Sequence, residues 1–212
     1  FETTERVMVS VRGSRGSGGM IGPKYGGATF YGGDGDDVLR AISVSESSRH
    51  YFYGGAGNDR LVGGGGRDVL DGGTGDDTII GTAARNKIFG GHGNDEIHDG
   101  DGSSVVHTGP GRNKVRLGGG NDTVHAGTGI THVDPGQGAV VFVLAYGGVT
   151  HVSQWQAEQV YDLSAWPKPP QVARRPDGLV DVTLGLSVLR IAGVPGDHDI
   201  AAQIRQGSPA DP

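Results

Sequence analysis

An apolar side chain recurs at every ninth position from Leu61 to Phe142, through Leu70, Ile79, Ile88, Ile97, Val106, Val115, Val124 and Val133. Many of the neighbours on either side are polar or charged, as at Thr78, Glu96, His98, Lys114 and Arg116. One inward residue between two outward ones is a short strand of period two. Between these strands lie six-residue stretches dense in glycine. In this frame Gly54 to Val143 divides into ten gapless nonapeptides, from GGAGNDRLV to PGQGAVVFV. Positions two and four are each Gly in nine of the ten copies. Glycine takes positive φ at no steric cost, so these columns mark a tight turn. Two nonapeptides then make one 18-residue coil with a strand on each face. The predicted fold is all-β: a right-handed parallel β-roll (a β-solenoid) with β-rich N- and C-terminal caps and strands about 4.8 Å apart.

A further copy, GGDGDDVLR, starts at Gly32. Between it and Gly54 lies an insert, residues 41–53, whose 13 residues exceed one repeat by four. Upstream, VMVSV alternates like a strand, and YGGATFYGG reads as a degraded coil with Phe30 at the apolar position. Residues 1–31 are therefore expected to be an N-terminal cap or coils lacking a metal, and residues 32–143 the roll. The glycine rhythm stops near Ala145, and residues 144–212 are expected to form a β-rich cap containing Trp155 and Trp166. A roll ends in unpaired strand edges and open apolar side chains, so a cap is physically required.

Position six behaves differently from the apolar column. It runs Asp59, Asp68, Asp77, Asn86, Asp95, Ser104, Asn113, Asp122, Thr131 and Val140, losing its charge towards the C-terminus. Residues 18 apart stack on one edge, so Asp59, Asp77, Asp95, Asn113 and Thr131 share one edge, and Asp68, Asn86, Ser104, Asp122 and Val140 the other. Carboxylates about 5 Å apart repel by roughly 1 kcal/mol in water and by more at lower dielectric. A fold that stacks them needs a cation between them. Aspartate oxygens with glycine-turn carbonyls form an all-oxygen set, suited to Ca²⁺ and poorly suited to Zn²⁺. With one core side chain per nonapeptide and a glycine-rich backbone to order, folding is expected to depend on that metal.

The copies GGAGNDRLV and GGTGDDTII match the pattern G-G-x-G-x-D-x-U-x in full, and the chain from Gly32 to about Val143 resembles RTX (repeats-in-toxin) proteins with hemolysin-type nonapeptides. The resemblance implies a calcium-binding module of a type I secreted protein. It would be unfolded in the low-calcium cytosol, exported by the type I secretion machinery through an uncleaved C-terminal signal, and folded outside the cell or at the bacterial surface. It also implies which groups hold the ions: position-six carboxylates 18 residues apart, with turn carbonyls including those of positions two and four. On this chain those are Asp59 with Asp77 and Asp77 with Asp95, aided by Gly55, Gly57, Gly73, Gly75, Gly91 and Gly93. Asp68 faces Asn86 in a turn, GTAAR, that has lost its glycines, and Asp122 faces Ser104. Asp37 joins Asp59 if the four extra residues bulge outward. The C-terminal stretches YDLSAW, LSVLRIAGV and DIAAQI resemble the family's flanking module, while GSPADP lacks its apolar ending.

The bulk numbers narrow the alternatives. Net charge is -6, which disfavours nucleic-acid binding, because phosphate contact needs clustered Lys and Arg. There is no cysteine, hence no disulfide and no thiolate metal site. No stretch approaches the roughly 18 apolar residues of a membrane span. The start at Phe1 lacks the marks of a signal peptide and reads as a processed chain or a piece of a longer protein. HExxH, GxSxG and P-loop motifs are absent, so no catalysis is expected. The chain is expected to be a monomer. Two alternatives stay open: the export or folding tail of a secreted enzyme (protease, lipase or polysaccharide epimerase), or an adhesive or carbohydrate-binding module using SESSRHYFY. His107 and His125, Glu96 and Lys114, and His98, Arg116 and Asp134 fall 18 apart and read as outward polar ladders.

Overall fold

The computed structural model describes residues 9–12, 16–22, 26–156, 159–168, 170–196 and 198–205. Parallel strands stack in two ladders, one on each face of a solenoid. On one face Phe52 pairs with Leu70, Leu70 with Ile88, Ile88 with Val106, Val106 with Val124 and Val124 with Phe142. On the other, Leu61 pairs with Ile79, Ile79 with Ile97, Ile97 with Val115 and Val115 with Val133. These registers make each full coil 18 residues. Every position-eight side chain from Leu61 to Phe142 is buried, so the two ladders meet in one narrow core. Burying each such side chain contributes about 1.5–3 kcal/mol.

The ladders continue beyond the gapless repeats. Upstream, Val11 pairs with Phe30 and Phe30 with Phe52 on the first face. Met20 pairs with Leu39 and Leu39 with Leu61 on the second. Phe30 and Phe52 stack at 4.7 Å between centroids. The insert is therefore half a coil in its own right. His50–Ala56 is a strand in the ladder, and the four surplus residues are taken up in the turn before it, around the bend at Glu46–Ser47. Phe52 and His50 are buried, so of the SESSRHYFY aromatics Tyr51 and Tyr53 alone reach the surface.

At the C-terminal end the parallel pattern is closed off. Val149–Val152 stacks on Ile130–Val133, and Val160–Asp162 on Val141–Val143. Ser187–Ile191 then pairs parallel with Val149–Val152 on one side and antiparallel with Val180–Leu184 on the other. Gln171–Arg174 completes that antiparallel sheet, and Ile204–Arg205 covers Tyr161–Asp162. Both terminal edges thus acquire a partner strand, which removes the template for further stacking. Trp166 is buried here, and Trp155 donates through Nε1 to Gln203 Oε1 at 3.0 Å. Among the described residues no helix is long and apolar enough to cross a membrane. The C-terminal GSPADP lies outside the described residues.

Candidate metal centre

The turns bring position six onto the two long edges, as the 18-residue register requires. The side chains do not point outward. Asp37, Asp59, Asp68, Asp77, Asp95 and Asp122 are all buried, as are Asn86, Ser104, Asn113 and Thr131. Each except Thr131 accepts a backbone N–H from the coil before it. The backbone N–H of Asp37 donates to Asp59 Oδ1 (2.8 Å), that of Asp59 to Asp77 Oδ1 (2.8 Å), that of Asp77 to Asp95 Oδ1 (3.0 Å) and that of Asp95 to Asn113 Oδ1 (2.9 Å). The N–H of Gly18 donates to Asp37 Oδ1 at 2.7 Å, so Asp37 belongs to the same column despite the insert.

The opposite edge has the same ladder with different acceptors. The His50 N–H donates to Asp68 Oδ1 (2.9 Å), Asp68 to Asn86 Oδ1 (3.3 Å), Asn86 to Ser104 Oγ (3.0 Å) and Ser104 to Asp122 Oδ1 (2.8 Å). Position six thus has a structural duty apart from any ion: it supplies one acceptor for the N–H of the preceding coil. Asn and Ser fulfil that duty as well as Asp, which is why the column can lose charge without losing the coil. A second, exposed ladder joins position five on the first edge. Asn58 N–H donates to Asp36 Oδ1, Asp76 to Asn58 Oδ1 and Asn94 to Asp76 Oδ1, each at 2.7 Å.

What remains is the other carboxylate oxygen. Oδ2 of Asp37, Asp59, Asp77, Asp95 and Asp122 is buried with no hydrogen-bond partner. A buried charge without a partner is costly. The titration behaviour follows. Burial, the largest cause, raises Asp59, Asp77 and Asp95, and repulsion from Asp95, Asp59 and Asp71 adds to it at Asp77, which is pushed up to about 7. Burial likewise raises Asp122 to about 7, with Asp99 adding repulsion.

The asparagine coils show what such a turn lacks. Asn86 Nδ2 donates to the carbonyls of Thr82 (3.1 Å) and Ala84 (3.0 Å), positions two and four of its own turn. Asn113 Nδ2 donates to the carbonyls of Thr108 (3.2 Å) and Gly109 (3.0 Å), positions one and two. Where Asn replaces Asp, its NH₂ group supplies positive hydrogens to the turn carbonyls. At Asp59, Asp77 and Asp95 the second carboxylate oxygen takes the place of that NH₂ and has no donor. A side-chain carbon built on Gly90 would sit 2.5 Å from Asp95 Oδ2 and 2.6 Å from the Thr108 carbonyl oxygen. Built on Gly54 or Gly72, it would meet Asp59 Oδ2 with the Gly72 carbonyl, or Asp77 Oδ2 with the Gly90 carbonyl. Oxygen donors of this kind, carboxylate and carbonyl, are the set that Ca²⁺ takes. Gly55, Gly57, Gly73, Gly75, Gly91 and Gly93 all have positive φ, between 105° and 141°, and turn the chain here.

Position one was not singled out from the sequence, although its column carries the signal. On the first edge it is Gly32, Gly54, Gly72 and Gly90 beside the aspartates, then Thr108 and Ala126 beside Asn113 and Thr131. His50 was hidden for another reason, since the insert shifts it out of frame. It occupies position six above Asp68, with Nδ1 2.8 Å from Asp68 Oδ1 and both side chains fully buried. Asp68 Oδ2 accepts from Gly64 N–H at 2.6 Å, so this carboxylate has partners at both oxygens. Among the described residues no group of three His, Cys, Asp or Glu side chains converges, so ion ligation on these edges must draw on backbone carbonyls.

The family profile of the RTX calcium-binding nonapeptide repeat matches four times, at residues 25–41, 51–79, 71–106 and 98–132. The first match takes in the degraded upstream coil, and the last reaches the coil where aspartate gives way to Thr131. No curated protein matches the chain.

Proposed function

The chain belongs, through residues 25–132, to the RTX calcium-binding nonapeptide repeat family, and we propose that its calcium sits between successive turns of one edge and drives folding after export. The sites are Asp37 with Asp59, Asp59 with Asp77, and Asp77 with Asp95. Position-one, -two and -four carbonyls complete them, including those of Gly55, Gly57, Gly73, Gly75, Gly91 and Gly93. The supporting observation is the row of buried, unpartnered Oδ2 atoms, with the position-one carbonyls of Gly72, Gly90 and Thr108 near them, at the place where Asn86 and Asn113 carry an amide NH₂.

The physical sequence of events follows from the charges. Without calcium the stacked carboxylates must either stay protonated or repel one another inside a narrow core, and the glycine turns carry a high ordering entropy. In millimolar calcium outside the cell, ions held by the folded roll and not by the unfolded chain stabilise it by mass action. Such a chain crosses a type I secretion channel unfolded and folds where calcium is plentiful. In this reading the module is an extracellular or surface-bound monomer. It performs no catalysis itself. The test is far-UV circular dichroism of the chelator-stripped protein during titration with Ca²⁺, with Mg²⁺ as control. A cooperative gain of β signal with Ca²⁺ alone is expected. A fold already complete in chelator would overturn calcium-driven folding.

A further inference from the structure

The second edge pairs a position-six carboxylate, Asp122, with one that the nonapeptide motif does not account for, Asp99. Asp99 stands at position one of DGDGSSVVH, where the aspartate edge has glycine. Its side chain lies over Gly81, so a carbon built there would collide with Asp99 Oδ1. Asn86 Nδ2 is 3.4 Å from that same oxygen. The other oxygen, Oδ2, is buried and has no hydrogen-bond partner, and the same holds for Oδ2 of Asp122, whose residue is only 1% exposed.

The two carboxylates converge on Ser104. The Ser104 N–H donates to Asp122 Oδ1 at 2.8 Å. The Ser104 side chain faces the Asp99 carboxyl and favours its charged form, as do Asn86 and the Gly100 amide. Asp99 is close enough to Asp122 for its charge to oppose ionisation there. The contrast with Asp68 on the same edge is informative. Asp68 has His50 and the Gly64 amide on its two oxygens, whereas Asp99 and Asp122 each keep one oxygen free inside the protein.

We infer that Asp99, Ser104 and Asp122 form a divalent-cation site of the Ca²⁺ class on the second edge, with Asp99 supplying from position one the carboxylate that Ser104 no longer supplies from position six. The donor set is hard oxygen throughout: two carboxylates and a hydroxyl, with turn carbonyls at hand. Burial, the largest cause, raises Asp99 to about 6 and Asp122 to about 7 in the absence of a cation. A bound cation would offset both. The inference rests on the reading that ions lie between coils of this roll.

Native mass spectrometry of the whole chain in Ca²⁺ tests it by counting ions, with circular dichroism as a check on folding. Asp99 is not an acceptor in the coil-to-coil ladder, so Asp99→Asn is expected to fold and to carry one ion fewer than the parent. Should that variant fail to fold, Asp122→Asn keeps the acceptor for the Ser104 N–H and is expected to lose the same ion. Asp77→Asn serves as the reference for the first edge. An unchanged count in folded Asp99→Asn or Asp122→Asn, beside a lower count in Asp77→Asn, would overturn the inference and leave the first-edge reading standing. A parent protein that carries no ions would overturn both.

Discussion

The coils from Asp37 to Asp122 and those from Ala126 to Val152 stack in the same two ladders around one core, yet their turns are built on opposite principles. In the first region position one is glycine down to Gly90, and position six on the first edge is, from Asp37 to Asp95, aspartate with an unpartnered buried oxygen. In the second, position six is Thr131, Val140 and Thr150, all buried, and none brings a charge into the turn. Its strands are also longer: Asn121–Asp134 runs 14 residues without a break, because the turn itself pairs with its neighbours. The antiparallel sheet of Val180–Leu184 and Ser187–Ile191 then seals the end. One region is held by neutral hydrogen bonds, apolar packing and a cap. The other has the same backbone ladder plus a charge that nothing in the protein neutralises. The solenoid thus separates what must fold unaided from what can wait for an ion.

This comparison can be broken most directly at Asp77. Asn at this position keeps the acceptor for the Asp59 N–H and brings an NH₂ group of the kind that Asn113 turns towards its carbonyls. In calcium, Asp77→Asn is expected to destabilise the protein by ~3 kcal/mol, the scale of removing one partner from a buried ion pair. In chelator the sign reverses, and the variant should be at least as stable as the parent. Denaturant melts in both conditions check the reversal, and a loss of equal size in both would mean that Asp77 acts only as a structural acceptor.

Gly90→Ala probes the space beside the carboxylate rather than the charge. Its new methyl carbon would crowd Asp95 Oδ2 and the Thr108 carbonyl, at a cost of ~1–3 kcal/mol in calcium. Ala126, the corresponding residue two coils on, already carries that methyl group where no aspartate follows. Calorimetric calcium titration should give a weaker affinity for Gly90→Ala, and an unchanged affinity would remove the Asp95 turn from the binding set.

The same comparison can be probed by pH. Asp77 and Asp122 titrate near about 7 in the folded, metal-free chain, against about 4 when unfolded. Between those values the folded state binds more protons than the unfolded one. In chelator, stability should therefore fall as pH rises from about 5 to about 8. In calcium the trend should invert, because protons compete with the ion for the same oxygens. Thermal melts across this range check both signs, and parallel trends in the two conditions would contradict the assignment.

Much of the roll was legible because one column carries the core. Leu61 to Phe142 recur without a gap, and every one is buried. The insert hid its own coil, since four surplus residues shift the frame and conceal Phe52 and His50. The dual role of position six was illegible for a physical reason. A hydrogen bond from the preceding coil's N–H can be accepted by Asp, Asn or Ser alike, so the column shows where charge is lost but not what is retained. Asp99 escaped notice because a single aspartate beside glycines reads as a solvated turn until its buried oxygen is seen next to Asp122.

The central claim is that calcium dependence is confined to the aspartate turns. Hydrogen exchange resolved by mass spectrometry, in calcium and in chelator, tests it directly. Peptides covering Gly54 to Asp95 are expected to lose protection when calcium is removed, while those covering Ala139–Leu144 and Ser187–Ile191 keep most of theirs. Uniform loss along the whole chain, or undiminished protection at Asp59, Asp77 and Asp95 in chelator, would contradict the account.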